Sequence, residues 1–165
     1  MGDTASHIRQ ARQWFSSLQT RDFSSAGDMQ RTEEYMLKDL KDAGLTIKAL
    51  DPDGKLGDFA MAQQVKDAIA ATCLRSARKR MREFETTTTP HSGDMSDHFT
   101  SGIRTLLEKG GFTLADLDPA EKGGAAAIEA RFKAGARRFY LQKARHDFKE
   151  FETATCAAWG DMTEG

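Results

Sequence analysis

Apolar residues along this chain recur at intervals of three and four, the spacing of one face of an α-helix. The first stripe is Ile8, Ala11, Phe15 and Leu18. Met36, Leu37, Leu40 and Ala43 predict a short helix over 30–43, stopped by Gly44, and Phe99, Ile103, Leu106 and Leu107 predict another over 96–109, stopped by Gly110 and Gly111. Each short helix leads into a threonine-started turn ending at an Asp-Pro pair, Thr46–Pro52 and Thr113–Pro119, which reads as a cap, one helical turn and a stop.

Two long helices are predicted over 58–86 and 125–155. In the first, Met61, Val65, Ala68 and Thr72 line one face, and then Leu74, Ala77, Met81 and Phe84 continue on roughly the opposite face. The second repeats the switch, with Ile128, Phe132, Gly135 and Phe139 followed by Leu141, Ala144, Phe148 and Phe151. A helix with opposed apolar stripes in its two halves packs against two different partners. The chain is therefore expected to be all-α.

The same elements recur because the sequence repeats. Residues 44–88 align without a gap on 111–155 at an offset of 67 (118 − 51), and 17 of the 45 positions are identical. Residues 6–29 align on 72–95 at an offset of 66, through Arg9/Arg75, Ala11/Ala77, Arg12/Arg78 and Thr20/Thr86. The triplet Gly-Asp-Met occurs at 27–29, 93–95 and 160–162, where Asp28 or Asp94 is expected to cap a short helix. A period of this size predicts a helical array in which each unit contacts its neighbour. The expected organisation is a three-helix module over 1–72, a second over 73–139 joined to it by a shared long helix, and an incomplete third unit over 140–165. The alternative is a single compact helical bundle whose long helices bend near Cys73 and Tyr140.

In the array reading, the stripe over 141–156 has no third module to cover it. Leu141, Phe148, Phe151 and Trp159 are the candidate partner-binding residues. Each large apolar side chain left in water forgoes about 1.5–3 kcal/mol. The face is thus expected to meet a protein partner or a second copy.

Composition narrows the field. The 165 residues are 30% charged and 39% hydrophobic, with three prolines, which is ordinary for a folded protein. Net charge is −1, against the strongly basic balance of a dedicated nucleic-acid binder, so nucleic acid is not the expected partner. Two cysteines make no disulfide framework, so a reduced, cytoplasmic compartment is expected, although export by a signal-peptide-independent route is compatible with the Ser/Thr-rich start. No apolar run reaches the roughly 18 residues needed to span a bilayer. The start Met-Gly-Asp-Thr-Ala-Ser fits the loose N-myristoylation pattern, but an acidic residue directly after the glycine weakens the match.

Three clusters carry candidate chemistry. Arg75, Arg78 and Arg82 share one helix face, with Gln142, Arg145 and Lys149 at the equivalent places in the next copy. Arg75, Arg78, Arg82 and Arg145 therefore form the alternative, nucleic-acid-binding site, since regularly spaced cations suit a phosphate backbone. No aromatic residue is interleaved for base stacking, and a mixed-charge solvated face is the commoner meaning of such a pattern. The loop Ala49–Leu56 partly resembles an EF-hand. Asp51 and Asp53 fall at positions three and five, and Gly54 at six, which would make the chain a degenerate calcium-responsive module. Positions one and twelve are alanines, so too few oxygens are on offer. His91, Asp94, Asp97 and His98 have metal-like spacing, but the first copy lacks the histidines, and a solvated turn is the plainer reading.

No nucleotide-binding, hydrolase or metalloprotease motif is present, and Cys73, replaced by Tyr140 in the second copy, reads as a buried thiol. The expectation is a non-enzymatic helical repeat protein, without a cofactor, that acts through protein contacts by partner docking or self-assembly.

Overall fold

The computed structural model describes residues 2–88 and 94–163, with side-chain surroundings for 3–88 and 95–154. The described residues form an all-α bundle of five α-helices and two one-turn 3₁₀ helices, with no strand. They run α1 (Gly2–Thr20), α2 (Ala26–Asp42), a first 3₁₀ turn (Ile47–Leu50), α3 (Asp58–Thr86), α4 (Asp94–Gly110), a second 3₁₀ turn (Leu114–Leu117) and α5 (Gly124–Thr163). α3 continues through Cys73 and α5 through Tyr140 without interruption. No described helix is long and apolar enough to cross a membrane.

The short helices stop as their sequences require. Gly44 and Gly111 adopt φ of 70° and 79°, the left-handed region that lets the chain turn back. Leu45 N–H then donates to the Leu40 carbonyl at 2.9 Å, and Phe112 N–H to that of Leu107 at 2.8 Å, closing both helix ends. The start of α2 differs from expectation. Ser25, not Asp28, holds the N-cap position, and α2 begins at Ala26. Asp28 lies inside the first turn, where its charge faces the positive end of the helix dipole and it accepts from Arg31 at 3.2 Å. The equivalent Asp94 opens α4, but its side chain lies outside the described residues.

The 3₁₀ turns are held by carboxylates. Asp116 reaches back to accept from the Thr113 N–H at 2.7 Å. In the first copy Asp58, at the start of α3, accepts from the Lys48 N–H at 3.0 Å.

Both halves of α3 bury an apolar face, Met61, Val65, Ile69 and Thr72 in the front half and Cys73, Ala77, Met81 and Phe84 in the rear half, but the faces are turned by less than the expected half-circle. Ala68 and Leu74, assigned to the stripes by spacing, are only partly buried, and Ile69 and Cys73 are covered in their place. α1 crosses the middle of α3, where the Thr72 hydroxyl donates to the Leu18 carbonyl at 2.7 Å and the Phe23 N–H donates to Ser76 Oγ at 3.1 Å. Further along, Phe84 gathers an aromatic group from three helices. Its ring lies 5.8 Å from Phe99 of α4 and 6.2 Å and 5.4 Å from Phe132 and Phe139 of α5.

The buried apolar residues from both halves of the chain form one connected cluster, so the step from residue 72 to 73 lies inside a continuous core. α2 and α4 also touch. Lys109 pairs with Glu33 at 3.2 Å, and the Ala26 N–H donates to Thr105 Oγ1 at 3.3 Å. The Ser24 carbonyl packs so closely on α4 that a Cβ at Gly102 would collide with it.

Candidate association face

The C-terminal half of α5 carries the third copy of a pattern that occurs earlier in α1 and in the rear half of α3. Its positions align as Ala11/Ala77/Ala144, Arg12/Arg78/Arg145, Phe15/Met81/Phe148 and Leu18/Phe84/Phe151. In the first two copies the apolar members are buried: Ala11 and Ala77 are fully covered, as are Leu18 and Phe84, and Phe15 and Met81 are nearly so. In the third copy Leu141, Phe148 and Phe151 are 50%, 62% and 66% exposed. Every residue from Ala144 to Ala154 is exposed, so the segment stands clear of the bundle on all sides. Trp159 belongs to the same helix, but its side chain lies outside the described residues.

The arginines of this pattern do specific work in the first two copies. The Arg12 guanidinium donates to the Ala49 carbonyl at 3.1 Å. The Arg78 guanidinium donates to the carbonyls of Asp116 at 2.8 Å and Leu117 at 3.3 Å. Ala49 and Asp116 are equivalent under the 67-residue offset, so both arginines fasten their helix to the same place on a 3₁₀ turn. Arg145, exposed, has no such partner among the described residues.

Arg75 is also engaged, with Asp22 at 3.3 Å and with the carbonyls of Gln19 and Arg21 at 3.2 and 3.1 Å. Arg75 and Arg78 therefore point their donors into the protein's own backbone. Only Arg82 and Arg145 of the four stripe arginines keep side chains without a bonded partner among the described residues. Spacing along one helix could not reveal this, because the acceptors lie 38 to 56 residues away in sequence.

An ion-pair hub escaped the sequence reading. Arg131 of α5 meets Glu85 of α3 at 2.5 Å, Asp118 at 3.0 Å and Glu121 at 3.5 Å, and Glu85 foremost holds the guanidinium firmly charged. Residue 64, its counterpart in the first copy, is glutamine, so the repeat comparison gave no signal.

The Asp51 carboxylate is occupied by its own loop. It accepts from the backbone N–H groups of Asp53 at 3.1 Å, Lys55 at 2.8 Å and Leu56 at 2.9 Å, and these bonds, Leu56's above all, hold its carboxyl below the usual aspartate value. The calcium-like spacing of Asp51 and Asp53 thus builds a turn. Of the second cluster, His91 lies outside the described residues, as does the side chain of Asp94.

His7, Asp39 and Asp42 place one ligand-type atom each within 4.8 Å of one another. Both oxygens of Asp39 are already used, by His7 Nδ1 at 2.9 Å and by Trp14 Nε1 at 3.0 Å, and the pair fastens α1 to α2. Cys73 is buried, donates to Met29 Sδ at 3.3 Å, and has its thiol pushed up to about 11 by burial, the opposite of an activated nucleophile.

No protein-family model, curated protein or solved structure matches the chain.

Proposed function

We propose that this chain is a non-enzymatic helical repeat protein that acts through protein contacts, and that the C-terminal half of α5 is the contacting face. On this reading residues 1–72 and 73–139 are two repeat units sharing α3, and 140–165 opens a third. The observation that carries it is the contrast in burial at equivalent positions. Phe15 and Leu18, then Met81 and Phe84, are covered within the chain, whereas Phe148 and Phe151 are not. A sequence pattern used twice to bind a neighbouring helix and turn is available a third time with nothing on it. An exposed apolar stripe on a free-standing helix is costly in water and is the usual mark of an association surface. The reduced, cytoplasmic setting expected from the two unpaired-type cysteines suits such a module.

The test is a triple substitution, Leu141→Ser, Phe148→Ser and Phe151→Ser. Solution mass and capture of binding proteins from a cell lysate are compared with the unchanged chain, and circular dichroism serves as a control for folding. The expected result is an intact bundle that has lost association. Identical mass and identical capture in both chains would overturn the reading.

A further inference from the structure

The face on α5 has polar requirements as well as apolar ones, and α3 shows what they are. Arg78 and Glu85 flank the Met81/Phe84 stripe seven residues apart. Arg78 takes carbonyl acceptors, and Glu85 takes the Arg131 guanidinium at 2.5 and 3.1 Å. The equivalent residues on α5 are Arg145 and Glu152. Neither has a partner among the described residues. What covers this face must bring an acceptor for Arg145 and a cation for Glu152.

We propose that a second copy of this chain brings both, through antiparallel pairing of the two α5 segments about a two-fold axis; this rests on the reading of α5 as an association face. Leu141, Ala144, Phe148 and Phe151 follow the three-four spacing of a helix–helix seam. Arg145 and Glu152 each follow a seam residue by one, so they lie on the same flank. With Phe148 of one copy beside Phe151 of the other, Arg145 of each copy faces Glu152 of its mate. The interface is self-complementary, as a two-fold contact requires. A parallel pair would instead bring Asp147 against Glu152, two like charges.

Exchange of α5 for another copy's α1 is disfavoured by the same kind of argument. α1 grips Asp39 with His7 and Trp14. The equivalent α5 positions are Tyr140 and Asp147, so the exchange would set Asp147 against Asp39.

The experiment is sedimentation equilibrium on the full chain from about 1 µM to about 1 mM, the range for a small interface. Three samples are run besides the unchanged chain: Arg145→Glu, Glu152→Arg, and an equimolar mixture of the two. The unchanged chain is expected to dimerise with increasing concentration. Each variant alone sets like charges at both Arg145–Glu152 contacts and is expected to dimerise about tenfold more weakly. In the mixed pair the two introduced side chains, one acidic and one basic, meet at one of these contacts. The unaltered Glu152 of one chain meets the unaltered Arg145 of the other at the second contact, and the mixture is expected to regain the dimer.

A chain that stays monomeric throughout, or a mixture no better than its components, overturns the antiparallel pair. If a monomeric chain still captures a protein that the triple-serine variant does not, the self-pairing alone has failed. If it captures nothing, the association reading has failed with it.

Discussion

Phe84 fits against α5 only because residue 135 is glycine: a Cβ there would run into the Phe84 ring. The equivalent residues in the first copy are Leu18 and Ala68. At these two positions the first copy thus has a smaller side chain at one and one more carbon at the other, whereas the second sets a larger ring against a residue with no side chain. Volume moved from one helix to the other while the sum stayed nearly fixed, as close packing demands.

Gly135→Ala is therefore expected to destabilise the fold by about 1–3 kcal/mol through overpacking. Phe84→Leu alone leaves a partial cavity and costs ~1–2 kcal/mol. Together they recreate the combination found at 18 and 68, so the double variant is expected to be more stable than Gly135→Ala alone. Urea unfolding of the four proteins measures the coupling. Strict additivity would show that the two residues do not share one space.

Arg78 and Arg145 occupy the same place in the pattern but should behave oppositely. Arg78→Ala strands two carbonyls of the second 3₁₀ turn and is expected to cost about 1–3 kcal/mol. Arg145→Ala, measured by the same thermal melts at low protein concentration, is expected to stay within about 0.5 kcal/mol of the unchanged chain. Equal losses would mean that Arg145 also serves the folded monomer.

Cys73 is expected to resist a thiol reagent in the native protein. Its Sγ is buried against Met29, and its thiol is pushed up to about 11, so little thiolate exists near neutral pH. In a Cys156→Ser background, reaction with a disulfide dye should appear only as the protein unfolds. Rapid native labelling would show that the core opens around α3 far more often than its packing implies.

Acid should weaken the fold in part through Asp22. The hydrogen bond from Lys79, and then that from Arg75, hold its carboxyl below the ordinary aspartate value. A carboxyl lowered on folding contributes its stabilisation fully above the unfolded-state value and loses it as pH falls through the folded one. Asp22→Asn is expected to flatten the acid limb of a stability–pH curve below about pH 4 and to leave its slope near neutral pH unchanged. An unaltered acid limb would place the acid sensitivity in other lowered carboxyls, such as Asp51 and Asp58.

The helices were legible because their signals are local. Periodicity placed Met61, Val65, Met81 and Phe84 on the buried faces of α3, and glycines 44 and 111 marked helix ends. The contrast that defines the candidate face was half legible: the repeat shows that Phe148 and Phe151 stand where Met81 and Phe84 stand. Three features were not legible, two of them because their partners lie far away in sequence. Arg75 and Arg78 read as a surface stripe because the carbonyls they bind belong to other elements. Asp28 read as a cap because Ser25 is an equally good candidate three residues earlier. Arg131 read as one more helix cation because its three acidic partners come from α3 and a loop.

The arginine that fastens each helix to a 3₁₀ turn recognises main-chain oxygen alone. Alanine supplies it at 49, and aspartate and leucine supply it at 116 and 117. A joint of this kind is blind to side-chain identity in its socket, so one half of it can drift freely while the other cannot change. On the proposed reading of α5, Arg145 is equally undemanding: any correctly placed oxygen would serve it, the Glu152 carboxylate of a second copy included.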